Sequence, residues 1–341
     1  MSIVVESLDD LRRDVAPDDV TLKTARERRD DALDGAKQHP GVARGYNSGS
    51  IAHATANNDT DADCGIVLDR RVWPELGPDG DGVGPCDVVE EVRCRVRSHL
   101  QETYASVTTR LTTKRAIQLR FHDPLANETD PSVDLIVGLQ REDGGLWIPN
   151  LETDSWDASD PIQHTELLTG PPKALRVLRA RVIRIAKCWN IQYAEPGLCS
   201  FNVEALALPC VTEEMDVATG LVEFFGHAAT DVARRNTPDP ADVSQPIKLK
   251  IDRQVMVDRL ECAARLMQDA LDHDDDEHAA RTILADLFWK HLDPPAGTSS
   301  KAAWAHTLRT GNTGVRMGAG LSLGTSGTPI KTTRSFGDGT G

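Results

Sequence analysis

The chain has 341 residues, 39% of them hydrophobic, and a net charge of −15 from 38 basic and 53 acidic side chains. That length can bury a substantial core and fits about two domains, and the acidic surplus argues against broad coating of nucleic acid. No secretory signal opens the sequence and no apolar run is long enough to span a bilayer, so a cytoplasmic, reducing setting without a membrane role is expected.

Residues 1–40 are expected to form an N-terminal helix, with Asp18 or Asp19 as a cap and Pro40-Gly41 as its stop. The stretch YNSGSIAHATANNDTDADCGIVLD, residues 46–69, reads as a turn, a short helix and then a strand over 62–68. Residues 77–82 are a Gly- and Asp-rich loop, and 87–106 form an amphipathic helix with Val88, Val92, Val96 and Leu100 spaced four apart. Two strands follow: 116–121, which alternates apolar and polar residues, and 133–137, an apolar run with Asp134 inside it.

From Pro172 the texture becomes helical, with helices expected over 174–189, 201–208, 214–234 and 252–272, and another opened by the acidic run 274–277. Arg176, Arg179, Arg181 and Arg184 share the first of these helices and cannot all face one way. The seven cysteines are odd in number and lack zinc-site spacing, which favours buried free thiols. The resulting organisation is an N-terminal helix (1–40), a mixed αβ core (41–171), a helical domain (172–310) and a flexible tail (311–341) rich in Gly, Ser and Thr.

The chemistry concentrates around residues 49–63. Side chains alternate along a strand, so Asp61 and Asp63 project from one side, and two such carboxylates repel unless a proton or a cation neutralises them. Asp134 is a third carboxylate in a second strand; if the strands are neighbours, three hard oxygen ligands converge on a site suited to Mg²⁺ and phosphate. Gly49 permits close approach of backbone N–H groups to a ligand, and Ser50 offers its hydroxyl and amide at a helix start. An isolated Asp-x-Asp is ordinarily a solvated strand end; the combination with Gly-Ser and a third aspartate points to metal-dependent phosphate chemistry.

Gly49-Ser50, Asp61-x-Asp63 and Asp134, in that order, resemble the nucleotidyltransferase superfamily related to DNA polymerase β. Trp156, Asp160-Pro161, His164, the run RIAKCWN over 184–190, and Cys199-Ser200-Phe201 with Glu204 narrow the resemblance. They are similar to the bacterial cGAS/DncV-like nucleotidyltransferases (CD-NTases), which make cyclic oligonucleotides in anti-phage signalling (CBASS). The resemblance covers residues 40–300 and implies an α+β fold, with a polymerase-β-like core of mixed sheet and flanking helices plus a C-terminal helical domain.

The same resemblance implies Asp61, Asp63 and Asp134 as catalytic metal triad, holding two Mg²⁺ or Mn²⁺ ions, with Gly49, Ser50, Lys187 and Ser200 at the donor nucleotide. Without it, Lys187 would be read as a solvated helix lysine and Ser200 as a cap for the helix beginning at Phe201. It further implies NTP substrates (ATP and/or GTP), pyrophosphate release, and an effector that reads the cyclic product. Gly341 is a conceivable attachment point for a ubiquitin-transfer-like partner, or simply an undecorated terminus. One departure is Ala54, before Thr55, where many members have glycine. The same triad also serves enzymes that modify a drug, a protein or RNA, and a catalytically silent nucleotide-binding sensor would retain the cleft.

Overall fold

The computed structural model describes residues 2–58, 61–111 and 114–298. Two helices, α1 (Ile3–Asp14) and α2 (Asp19–Lys37), stand where the sequence leads to one. Pro17 lacks an N–H and disfavours helical geometry at Ala16, and the Asp18 carboxylate accepts from the Thr21 amide to start α2 afresh. The break separates two destinies. Val4, Leu8 and Leu11 of α1 join the helical half, whereas Ala25, Ala32, Leu33 and Ala36 of α2 pack on the sheet.

That sheet has seven strands: β1 (Val42–Ser48), β2 (Ala62–Leu68), β3 (Thr108–Arg110), β4 (Ile117–Arg120), β5 (Val133–Gln140), β6 (Leu146–Asn150) and β7 (Ser155–Ser159). The order is β1-β2-β5-β4-β3, with β6 on β5 and β7 on β6. β2 and β5 are parallel; the other pairs are antiparallel. Period-two alternation divides the faces. Ala62, Cys64, Ile66 and Leu68 of β2 and Val133, Leu135, Val137 and Leu139 of β5 face α2 and α4 (Cys86–Gln101), whose Val88, Val92, Val96 and Leu100 complete one core.

The opposite face therefore receives Asp63 and Val67 of β2 and Asp134 and Ile136 of β5. Its apolar end is closed by α5 (Pro161–Thr169), where Ile162 packs with Val67, Leu146, Ile148, Tyr46 and Ile136. The aspartate end remains open to a cleft. Across that cleft, α6 (Lys173–Ile191), α7 (Ser200–Ala207), α8 (Val217–Arg234), α9 (Arg253–Asp272) and α10 (Glu277–Leu287) enclose with α1 a second core around Trp189, Phe224, Phe225 and Phe288. Asp216, Asp252 and Asp276 cap the last three helices through their carboxylates.

All seven cysteines are free; Cys64 and Cys188 are buried, but Cys94 is exposed on the polar side of α4, against the expectation of buried thiols. No helix among the described residues is long and apolar enough to cross a membrane. The expected tail over 311–341, with Gly341, lies outside the described residues.

Candidate functional site

Strand register brings the carboxylates together. Residues directly opposite one another in a sheet share a face, and the register runs Ser48–Asp63–Asp134–Gln118–Arg110 across β1, β2, β5, β4 and β3. This is a row of polar groups on the face away from the core. Asp61 lies just before β2, exposed, and its carboxylate accepts a hydrogen bond from the Ser132 hydroxyl. Among the described residues, no three His, Cys, Asp or Glu side chains stand as a formed metal cage. The donor set nevertheless suits a hard divalent ion, because aspartates of adjoining parallel strands present only oxygen.

The Gly-Ser turn is built against this row. Gly49 opens the four-residue helix α3 (Gly49–Ala52) with φ +72°, and a Cβ placed on it would lie 1.8 Å from Oδ2 of Asp63. A side chain is excluded twice, by the left-handed backbone and by the carboxylate it would strike. The hydroxyls of Ser50, which follows, and of Ser200, the first residue of α7, make no hydrogen bond among the described residues and both line the cleft. Ser200 is not the cap of α7; that place belongs to Cys199, whose sulfur accepts from the Asn202 amide.

Lys187 is not a solvated helix lysine. It is 7% exposed, and its ammonium donates to Oε1 of Glu204 (2.7 Å), to the Thr55 hydroxyl (3.1 Å) and to the Thr55 carbonyl (3.4 Å). Glu204 also accepts from the Thr55 hydroxyl (2.6 Å), and its Oε2 lies 3.1 Å from Nδ1 of His53. Burial pushes the Glu204 carboxyl up, but the His53 hydrogen bond and the charges of Lys187 and His53 outweigh it and hold the group down at about 2. The carboxylate is thus ionised at neutral pH. A second pair, His164 Nε2 with Asp239 Oδ1 at 2.6 Å, sets the orientation of a ring that packs 4.6 Å from Phe201.

All seven residues singled out from the sequence (Gly49, Ser50, Asp61, Asp63, Asp134, Lys187 and Ser200) line one cleft of about 330 Å³. The four arginines of α6 do not line it: Arg179 turns inward to the carbonyls of Val211 and Leu167, and Arg184 and Arg176 reach Asn57 and the Thr169 carbonyl. Sequence reasoning missed His53 altogether and assigned no role to His164, Phe201 and Glu204, although the last three stood among the resemblance motifs. It also missed Gln118 and Arg110, whose signal exists only in the register with Asp134. On the same face, Arg120 Nε donates to Oε1 of Gln118 (3.0 Å), and the Arg110 side chain makes no ion pair or hydrogen bond among the described residues.

Ala54 carries an energetic cost at its position. It adopts φ 59°, the left-handed region in which a Cβ is strained. Ala54→Gly is therefore expected to stabilise the protein by about 1 kcal/mol, read as a higher denaturant midpoint at unchanged slope. A lower midpoint would show that the Ala54 methyl group is needed for packing.

No family model matches the sequence, and a search of curated proteins finds no match. Solved structures do match. E. coli MS115-1 CdnC with ATP superposes with a TM-score of 0.61 at 15% identity, covering 84% of this chain and 98% of that one. The Bradyrhizobium diazoefficiens CD-NTase CdnG in complex with GTP gives 0.59 at 15% identity, covering 84% and 96%. Vibrio cholerae DncV cyclic AMP-GMP synthase, in complex with the linear intermediate 5′ pppA(3′,5′)pG, gives 0.53 at 13% identity, covering 85% and 86%. The likeness extends over 84–85% of this chain and is one of fold: the chain has the fold of the cGAS/DncV-like nucleotidyltransferases.

Proposed function

We propose that the protein is a nucleotidyltransferase that joins NTPs into a cyclic di- or oligonucleotide with release of pyrophosphate, as a second messenger in anti-phage defence. The observation that carries this reading is the convergence of all seven sequence-selected residues, from the αβ and helical halves, on one cleft. Structures similar to this chain include a named cyclic AMP-GMP synthase holding a linear dinucleotide, and others holding ATP or GTP.

In this reading Asp61, Asp63 and Asp134 hold two Mg²⁺ or Mn²⁺ ions. Such ions, when bound, acidify the attacking ribose hydroxyl and neutralise charge on the leaving pyrophosphate. The chain's own groups do the rest. The Ser50 and Ser200 hydroxyls donate to the donor phosphates, and Lys187 adds positive charge from the cleft floor. Asp134 orients the acceptor hydroxyl and accepts its proton at the carboxylate. The acceptor lies along the open sheet face past Asp134, where Gln118, Arg110 and Arg120 offer donors to an anionic nucleotide. That basic stretch, on a chain of net charge −15, favours a nucleotide acceptor over a drug or protein. An effector that reads the product and a ubiquitin-transfer-like partner at Gly341 complete the proposal.

The test is incubation of the purified protein with all four labelled NTPs and Mg²⁺ or Mn²⁺, followed by phosphatase treatment. The expected result is a phosphatase-resistant oligonucleotide made by the wild type and absent with Asp61→Asn/Asp63→Asn. Product made equally by that double variant, or label transferred only to an added protein or RNA, would overturn the reading.

A further inference from the structure

Glu204 has no part in the steps above, yet it gathers more of the cleft than any phosphate-facing group. It is 5% exposed. Its carboxylate ties α7 to α6 through Lys187 and to the segment after α3 through Thr55 and His53. His53 in turn lies 3.0 Å from the Thr165 hydroxyl of α5. Three pieces of chain meet on one acid, and His53 links it to a fourth.

The bonds of Lys187 are unequal. An ammonium has three donors, and all three are engaged: one on a carboxylate at 2.7 Å, one on a hydroxyl at 3.1 Å and one on a carbonyl at 3.4 Å. A phosphate oxygen that reaches Lys187 must displace one of them. Separating Lys187 from Glu204 would part a buried charge pair at 2.7 Å, whereas the neutral Thr55 carbonyl, at 3.4 Å, is the longest and weakest of the three. Thr55 keeps its place when that bond breaks, because its hydroxyl still donates to Glu204 (2.6 Å) and its amide to the Ser50 carbonyl (2.9 Å).

Building on the nucleotidyltransferase reading, we infer that Glu204 is a positioning residue for the donor: it anchors Lys187 from behind, so that the Thr55 carbonyl is the partner a donor phosphate displaces from the ammonium. Glu204 itself touches no substrate. Its effect on nucleotide binding runs wholly through Lys187.

The experiment is a double-variant cycle on the full chain, with the dissociation constants of non-hydrolysable ATP and GTP analogues measured by calorimetry and thermal unfolding recorded in parallel. Lys187→Met and Glu204→Gln are each expected to weaken binding about tenfold or more, as for loss of a hydrogen bond to a charged group. Because one acts through the other, the double variant is expected to bind no more than about threefold worse than Lys187→Met alone. Multiplication of the two effects, or a folded Glu204→Gln that binds as tightly as wild type, would overturn the inference. If Glu204→Gln does not fold, the wild type decides: its Lys187 ammonium ¹⁵N resonance is expected to move when the analogue saturates the protein. An unmoved resonance in a nucleotide-bound protein sinks the idea. A wild type that binds neither analogue refutes the nucleotidyltransferase reading instead.

Discussion

Gly49→Ala is expected to cost activity by about 10²-fold or more while the rest of the fold survives, because the new methyl group and the Asp63 carboxylate cannot occupy the same space. The Cβ would lie 1.8 Å from Oδ2, 2.4 Å from Cγ and 2.6 Å from Cβ of Asp63. Asp63 is held in the sheet between Ser48 and Asp134, so the turn must move, and Ser50 moves with it. The left-handed φ of +72° adds a backbone penalty of about 1–2 kcal/mol and the overpacking about 1–3 kcal/mol. Gly82→Ala is the matched control: φ there is +81°, but a Cβ meets nothing within 4 Å. That variant should show the backbone cost alone, as a small drop in the denaturant midpoint, with nucleotide turnover intact. Comparing the two separates strain from obstruction. Equal activity in both variants would mean that Gly49 serves only the turn.

Asp134→Asn is expected to reduce nucleotide turnover on the order of 10²–10³-fold or more, since in the proposed mechanism it removes a ligand charge and the proton acceptor together. Its effect on stability has the opposite tendency. Asp63 and Asp134 stand directly across a parallel strand pair, and like charges so placed are destabilising. Removing one charge should leave the denaturant midpoint of the nucleotide-free protein unchanged or raise it, by up to about 1 kcal/mol. Added Mg²⁺ should stabilise the wild type more than the variant, because an ion that binds the native state shifts its unfolding by mass action. A variant that loses more than about 2 kcal/mol would show instead that Asp134 is a structural residue, as expected for a buried group whose loss disrupts packing.

These expectations depend on how much of the molecule was written locally. Helices α4, α6, α8 and α9 were legible because their apolar positions recur every three or four residues and their stops and caps are chemical, as with Asp252 ahead of α9. Strands β2, β4 and β5 were legible because apolar and polar residues alternate or run short and apolar. The strands β1, β3, β6 and β7 were not. Val42-Ala43-Arg44-Gly45-Tyr46-Asn47-Ser48 has no apolar face of its own; it becomes a strand because its backbone groups pair with β2, a contact no local window contains. The break at Pro17 could have been read, but that α1 leaves α2 to pack with Phe224 and Trp189 far along the chain could not.

The site divides in the same way. Residue type and order alone pointed to three aspartates and a Gly-Ser turn, whereas Lys187 and Ser200 entered only through the family resemblance. Tertiary structure decided their geometry. Register set Asp63 against Asp134 and extended the row to Gln118 and Arg110. Folding of α6 and α7 over the sheet buried Lys187 and surrounded Glu204 with donors from residues up to 151 positions away. Residue identity states which groups can hold charge or a proton. Which of those groups meet, and which bonds they have already spent, depends on long-range pairing that only the folded chain supplies.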